Sequence, residues 1–213
     1  MTVPKTPAAA AHALALATIS MAEDGAPLMR RVLPDGAMHL WDRYPMGDIV
    51  AGNGARAFYH AHPPGERAGM PEHGHFHFFL PRTAMPPEAM PLRGPLERGP
   101  GSDDVVHIIA MSFADSGLPT ALFTVNRWVT DEWLYPAADI MGALHLFDLA
   151  DSGFDPLACD WLTAAVHLCR PLIGELLEER DAVLARGVSG EDPAAEVLSH
   201  RPLDLQGLLA QAM

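Results

Sequence analysis

Ala55-Arg56-Ala57-Phe58-Tyr59-His60-Ala61-His62 and Glu72-His73-Gly74-His75-Phe76-His77-Phe78-Phe79-Leu80 are the two runs that decide the fold. In an extended chain neighbouring side chains point to opposite faces, so residues two apart share a face. Both runs read as strands, 55–62 and 72–80. Nine residues containing Pro63-Pro64-Gly65 and Gly69-Met70-Pro71 join them. An antiparallel pairing with His62 opposite His73 sets His60 opposite His75 and Phe58 opposite His77. Ala57, Tyr59, Ala61, Phe76, Phe78 and Leu80 then share the other face. A slip of one residue would split the histidines and mix phenylalanine with histidine on both sides. Apolar burial and the gathering of imidazoles favour the same register.

Five histidines thus fall within eighteen residues. Opposed side chains on one face have Cβ atoms about 4.5–5.5 Å apart. Three or four of His60, His62, His73, His75 and His77 then reach one ion at about 2.0–2.1 Å per bond. Imidazole suits zinc, copper, iron and nickel. The expected cofactor is a divalent metal, zinc first, with iron or copper as alternatives. The competing readings are a proton-relaying cluster and a solvated histidine-rich face.

Three further residues are candidates. Glu72 would complete a two-histidine, one-carboxylate set of the kind open iron sites use. In a regular strand it points away from His73, so only a loop conformation brings it in. His107 lies mid-strand with Val105, Ile109, Met111 and Phe113 on its face, either as a hydrogen-bonded core histidine or as a further ligand. Arg127 sits among Phe123, Val125 and Val129 at a strand end and needs a counter-charge. Asp131, Glu132 or Asp139 would supply it; a clamp on a substrate carboxylate is the sharper alternative.

Outward from the hairpin, residues 5–22 read as a helix. Residues 26–54 are irregular, with room for short strands. A second hairpin, 105–113 and 119–129, turns at Asp115-Ser116-Gly117. The part from 136 to 213 reads as helical. One helix starts at Pro136 and carries Ile140, Leu144 and Phe147. A longer one opens with Asp155 as N-cap and Pro156 at its first position, stops near Gly187, and should kink at Pro171. A short helix near 203–212 closes the chain. Residues 81–104 hold six prolines and three glycines. So long a loop is either a lid for the histidine site or a mobile insertion. The class is α+β: a small antiparallel sheet of about four or more strands, flanked by N-terminal and C-terminal helices, in one domain over 1–213.

A formal charge of −13 argues against nucleic acid and anionic membrane surfaces as partners. No stretch has the apolar length to span a bilayer. Ala8–Ala17 after Lys5 imitates a signal peptide, but His12 interrupts it. It reads instead as a first helix packing Leu14, Leu16, Ile19 and Met21 onto the core. Cys159 and Cys169 lie roughly 15 Å apart along a helix, too far for a disulfide. A cytoplasmic location follows as the expectation. Gly-x-Ser-x-Gly and His-Glu-x-x-His are absent. Gly52-Asn53-Gly54 precedes a strand rather than a helix, which rejects it as a phosphate loop. Met85 and Met90 would suit soft copper, but the methionines are scattered as core fillers are.

Phe58-Tyr59-His60-Ala61-His62-Pro63-Pro64, Glu72-His73-Gly74-His75-Phe76-His77, Val125-Asn126-Arg127-Trp128-Val129-Thr130 and Tyr135-Pro136-Ala137-Ala138-Asp139 resemble an uncharacterised bacterial family, a domain of unknown function. The resemblance runs over most of 35–185 and implies no activity. The His-x-His strand is also similar to those of carbonic anhydrases and cupins. The first needs a larger sheet. The second needs a glutamate after His-x-His, for which Glu66 is the candidate, and a full barrel; it stays an analogy. The chain is thus expected to be a metalloprotein. It would be a metal-dependent hydrolase or oxygenase acting on a small molecule, or else a non-catalytic sensor, store, carrier or protein-interaction module.

Overall fold

The computed structural model describes residues 3–33, 38–63, 72–95 and 104–213. It is α+β, as expected. Six strands form one antiparallel sheet in sequence order: β1 (Tyr44–Val50), β2 (Arg56–His60), β3 (Gly74–Pro81), β4 (Val105–Phe113), β5 (Pro119–Val125) and β6 (Val197–Pro202). The helices are α1 (Pro7–Glu23), α2 (Leu28–Val32), α3 (Arg127–Thr130), α4 (Ala137–Ala143), α5 (Pro156–Leu168), α6 (Arg170–Ala185) and α7 (Leu205–Ala212).

The β2–β3 register is the one the hydrophobic pattern demands: Phe58 pairs with His77, Tyr59 with Phe76 and His60 with His75. Phe76, Phe78 and Leu80 are fully buried in the main core with Tyr59 and Ala57. Exposing three such side chains by a one-residue slip would cost roughly 5–9 kcal/mol. That is comparable to the whole stability of an ordinary domain, so the register is fixed.

The helices cover the apolar face. Helix α1 lies on α5 through Ala10, Ala11, Ala13, Leu14, Ala17 and Met21. Leu16 and Ile19, expected in the core, are about half exposed. Small alanines allow the close approach, and the larger pair falls on the outer side of the turn. Helix α5 begins as read: Asp155 accepts from the Ala158 amide at 2.9 Å and Pro156 holds the first position. Pro171 cannot donate to the preceding turn, and the expected kink is a break at Cys169 between α5 and α6. Both cysteines are free and buried.

Strand β4 carries the main irregularity. Phe78 pairs with Ile109 but Phe79 pairs with His107, so Ile108 is an extra residue. Ile108 and Ile109 both enter the core, and the bulge reverses the parity of what precedes them. His107 therefore shares a face with Phe79 and Val105, opposite to Ile109, Met111 and Phe113. This corrects the regular alternation expected for the strand.

Candidate metal centre

The face opposite the main core carries the histidines; beside them α3 packs its Val129 on Ala110, Phe123 and Val125. The hairpin brings three Nε2 atoms into a triangle: His60 to His75 at 2.7 Å, His75 to His77 at 3.1 Å, and His77 to His60 at 3.3 Å. His75 and His77 are buried and His60 half-buried. His62 stands one step outside the triangle. It forms a looser group with His60 and His75 in which one ring nitrogen of each lies within 4.8 Å of the others. Its ring stacks on His75 at 5.3 Å and meets Trp41 edge-on at 4.4 Å. The two sets overlap at His60 and His75. In the tighter one the three Nε2 atoms lie within hydrogen-bond distance of each other.

The other ring nitrogens are held from behind. Glu72 Oε1 lies 2.7 Å from His75 Nδ1, and His107 Nε2 lies 3.0 Å from His77 Nδ1. Glu72 leaves the strand path, because β3 starts only at Gly74, and the carboxylate reaches a ring nitrogen rather than the triangle. The bulge delivers His107 to the same supporting position. Burial, then the charge of Arg180, then His75 depress the His107 pKa to about 3, which keeps the ring neutral.

His73 is placed elsewhere. Its backbone amide bonds to Phe113, and its Nδ1 is 2.6 Å from the Tyr59 hydroxyl on the core side. Gly74 makes room for this: a Cβ there would sit 2.5 Å from the Tyr59 hydroxyl. The period of two fails at His73 because the strand has not yet begun.

Arg127 is also apart. It opens α3, not a strand, and its guanidinium donates to the Gly94 carbonyl at 2.7 Å and to Glu191 at 3.0 Å. Its counter-charge is thus Glu191, 64 residues on, and none of the acids expected. Glu66 and residues 96–103 lie outside the described residues. In the described part of the 81–104 loop, Arg82 donates to the Tyr135 hydroxyl and Arg93 forms a backbone bridge with Leu134.

Sequence reasoning missed the aromatic surround. Phe123 reaches the His75 ring at 5.1 Å because its strand partner, Ala110, is opposite His77 on β3. The apolar alternation of β5 was the available signal. Trp41 gave none, because its left-handed backbone (φ 72°) is a tertiary feature. Arg43 lies 4.2 Å over the Phe58 ring, which itself contacts His77 at 5.2 Å.

Fold and site together define an α+β protein with a largely buried histidine cluster on the sheet face opposite its main core, able in its donor set to bind a metal ion. The chain belongs to the family described as Domain of unknown function (DUF6969), which matches residues 8–209. No curated protein and no solved structure matches it. Among the described residues, no helix is long and apolar enough to cross a membrane.

Proposed function

We propose that the protein holds one transition-metal ion on Nε2 of His60, His75 and His77. The observation that carries this reading is the size of the triangle, 2.7 to 3.3 Å on its edges. Nitrogens bonded at about 2.0–2.1 Å around a tetrahedral ion are separated by about 3.3 Å. Bare nitrogen lone pairs that close repel, and a cation or a shared proton must lie between them. A carboxylate on His75 Nδ1 favours the metal, since it keeps the proton there and leaves Nε2 as a lone pair. His77 donating to the neutral His107 ring would have the same effect.

Three imidazoles without a carboxylate favour zinc, with copper next. Glu72 is occupied behind His75, which argues against a two-histidine, one-carboxylate iron set. Three protein ligands leave a fourth position for water or substrate, as catalytic zinc sites do. In that position a zinc ion supplies Lewis acidity and an acidified water, the chemistry of a metal-dependent hydrolase. His62 supports a second reading. If it closes the fourth position, the site is saturated and suits metal sensing, storage or delivery.

Elemental analysis of protein purified without a nickel column tests the metal. About one ion per chain is expected. Metal-free protein that also fails to take up zinc, copper or iron on titration would refute the centre. Cobalt substitution separates the two readings. Added azide shifts the visible bands of an open three-histidine site and leaves a closed four-histidine site unchanged.

A further inference from the structure

A second site lies on the other side of the molecule, where the segment before α1 meets the α5–α6 junction. A cavity of about 280 Å³ is lined by Lys5, His145, His167 and Arg170, with Thr6 and the flanking prolines. No acidic residue lines it. That is unusual in a chain of net charge −13, and Lys5 is its sole lysine. Asp148 acts on His167 electrostatically but is not part of the wall.

His167 gives the site its chemistry. It is 7% exposed, and its Nε2 lies 2.8 Å from the Phe147 carbonyl. A carbonyl only accepts, so Nε2 carries the proton and Nδ1 is a bare acceptor. Among the described residues Nδ1 has no hydrogen-bond partner, and the ring borders the cavity. Nδ1 is not walled off by protein atoms, so a donor on a ligand in the cavity can reach it. His145 repeats the pattern at the rim. Its Nδ1 donates to the Gly142 carbonyl at 2.8 Å, which fixes the ring at the edge of the cavity. Arg170 uses Nη2 on the Met141 carbonyl at 2.8 Å and has further N–H groups on the same fork.

We propose that this cavity binds a small oxyanion that keeps a proton: hydrogenphosphate, or the phosphate of a small monoester. Lys5 and Arg170 supply the positive charge, and His167 Nδ1 accepts from the retained hydroxyl. The volume sits at the lower end of ligand pockets, which limits the organic part to a few atoms. Sulfate has the same shape but no proton near neutral pH, so it leaves His167 without a donor. The site therefore discriminates between the two.

The test is calorimetric titration of the full chain, without an N-terminal tag, with inorganic phosphate and separately with sulfate at pH 7. The expected result is one saturable phosphate site and sulfate weaker by at least about tenfold, the equivalent of one lost hydrogen bond to a charged group. Arg170→Gln and Lys5→Gln, both at exposed positions, each weaken phosphate several-fold, and His75→Ala leaves it unchanged. Equal binding of sulfate, no saturable binding, or loss in His75→Ala with retention in Arg170→Gln overturns the proposal. The last outcome would place phosphate at the histidine triangle instead.

Discussion

Replacing His75 with alanine tests the metal centre most directly. His75 is the corner common to the two shortest edges of the triangle, and it is the ring that Glu72 supports. For the unaltered protein, free zinc at about a thousand times its dissociation constant adds about 4 kcal/mol of stability. In a chain of this size each kcal/mol raises Tm by about 2–4 °C, so the expected shift is about 8–16 °C. With two nitrogens left, affinity falls by much more than the 10–100-fold typical of losing a supporting group alone, and the shift at the same zinc concentration vanishes. The metal-free variant should itself be less stable by about 1–3 kcal/mol, because the Glu72 carboxylate, 5% exposed, loses one hydrogen-bond donor. Scanning fluorimetry with and without zinc reads both effects. His60→Ala, at a half-buried position, repeats the test with less risk to folding. A zinc-induced shift in either variant equal to that of the unaltered protein would refute the assignment of Nε2 ligands.

Glu72→Gln keeps the acceptor and removes the charge, so zinc affinity should fall about 10–100-fold by competition with a chromophoric chelator; an unchanged affinity would mean that the carboxylate plays no supporting part. Glu132 is buried with no partner for Oε2, and burial lifts its pKa from 4.5 to about 8. Between those values the folded chain holds a proton that the unfolded chain has released, so stability should fall as pH rises through this window, by at most about 1.4 kcal/mol per pH unit. Glu132→Gln should flatten that slope and stabilise the protein at pH 8 in urea melts, and an identical slope would locate the effect elsewhere. Gly74→Ala places a Cβ 2.5 Å from the His60 carbonyl oxygen, a backbone atom that cannot step aside. It should cost about 1–3 kcal/mol and loosen the triangle, detectable as weaker zinc binding. Full stability and affinity would show that the β2–β3 spacing is not so tightly set.

The register of β2 against β3 was legible because two signals shared one parity. Phe76, Phe78 and Leu80 had to enter the core, and His75 and His77 had to leave it. The remainder depended on local irregularity. Ile108 and Ile109 are both apolar, so nothing in their pattern marks one of them as the extra residue that turns His107 around. His73 fits the period of two and still lies outside the strand, since Gly74 lets Tyr59 reach it. Strand β6, Val-Leu-Ser-His-Arg-Pro, alternates weakly because it is an edge whose second half faces water. Its pairing with β5 joins residues more than seventy positions apart, a proximity that no local pattern encodes. β1 fell in the stretch read as irregular, and its interruption between Tyr44 and Ile49 hides the alternation.

All three corners of the triangle come from one hairpin, the outermost, His60 and His77, being only seventeen positions apart. Closing so short a loop takes little chain entropy and belongs to the early, local events of folding. A cation captured there would clasp β2 to β3 before distant β6 arrives, and would act first on the speed of assembly. Zinc present during refolding should therefore accelerate the appearance of native structure, while zinc added afterwards can only slow its loss.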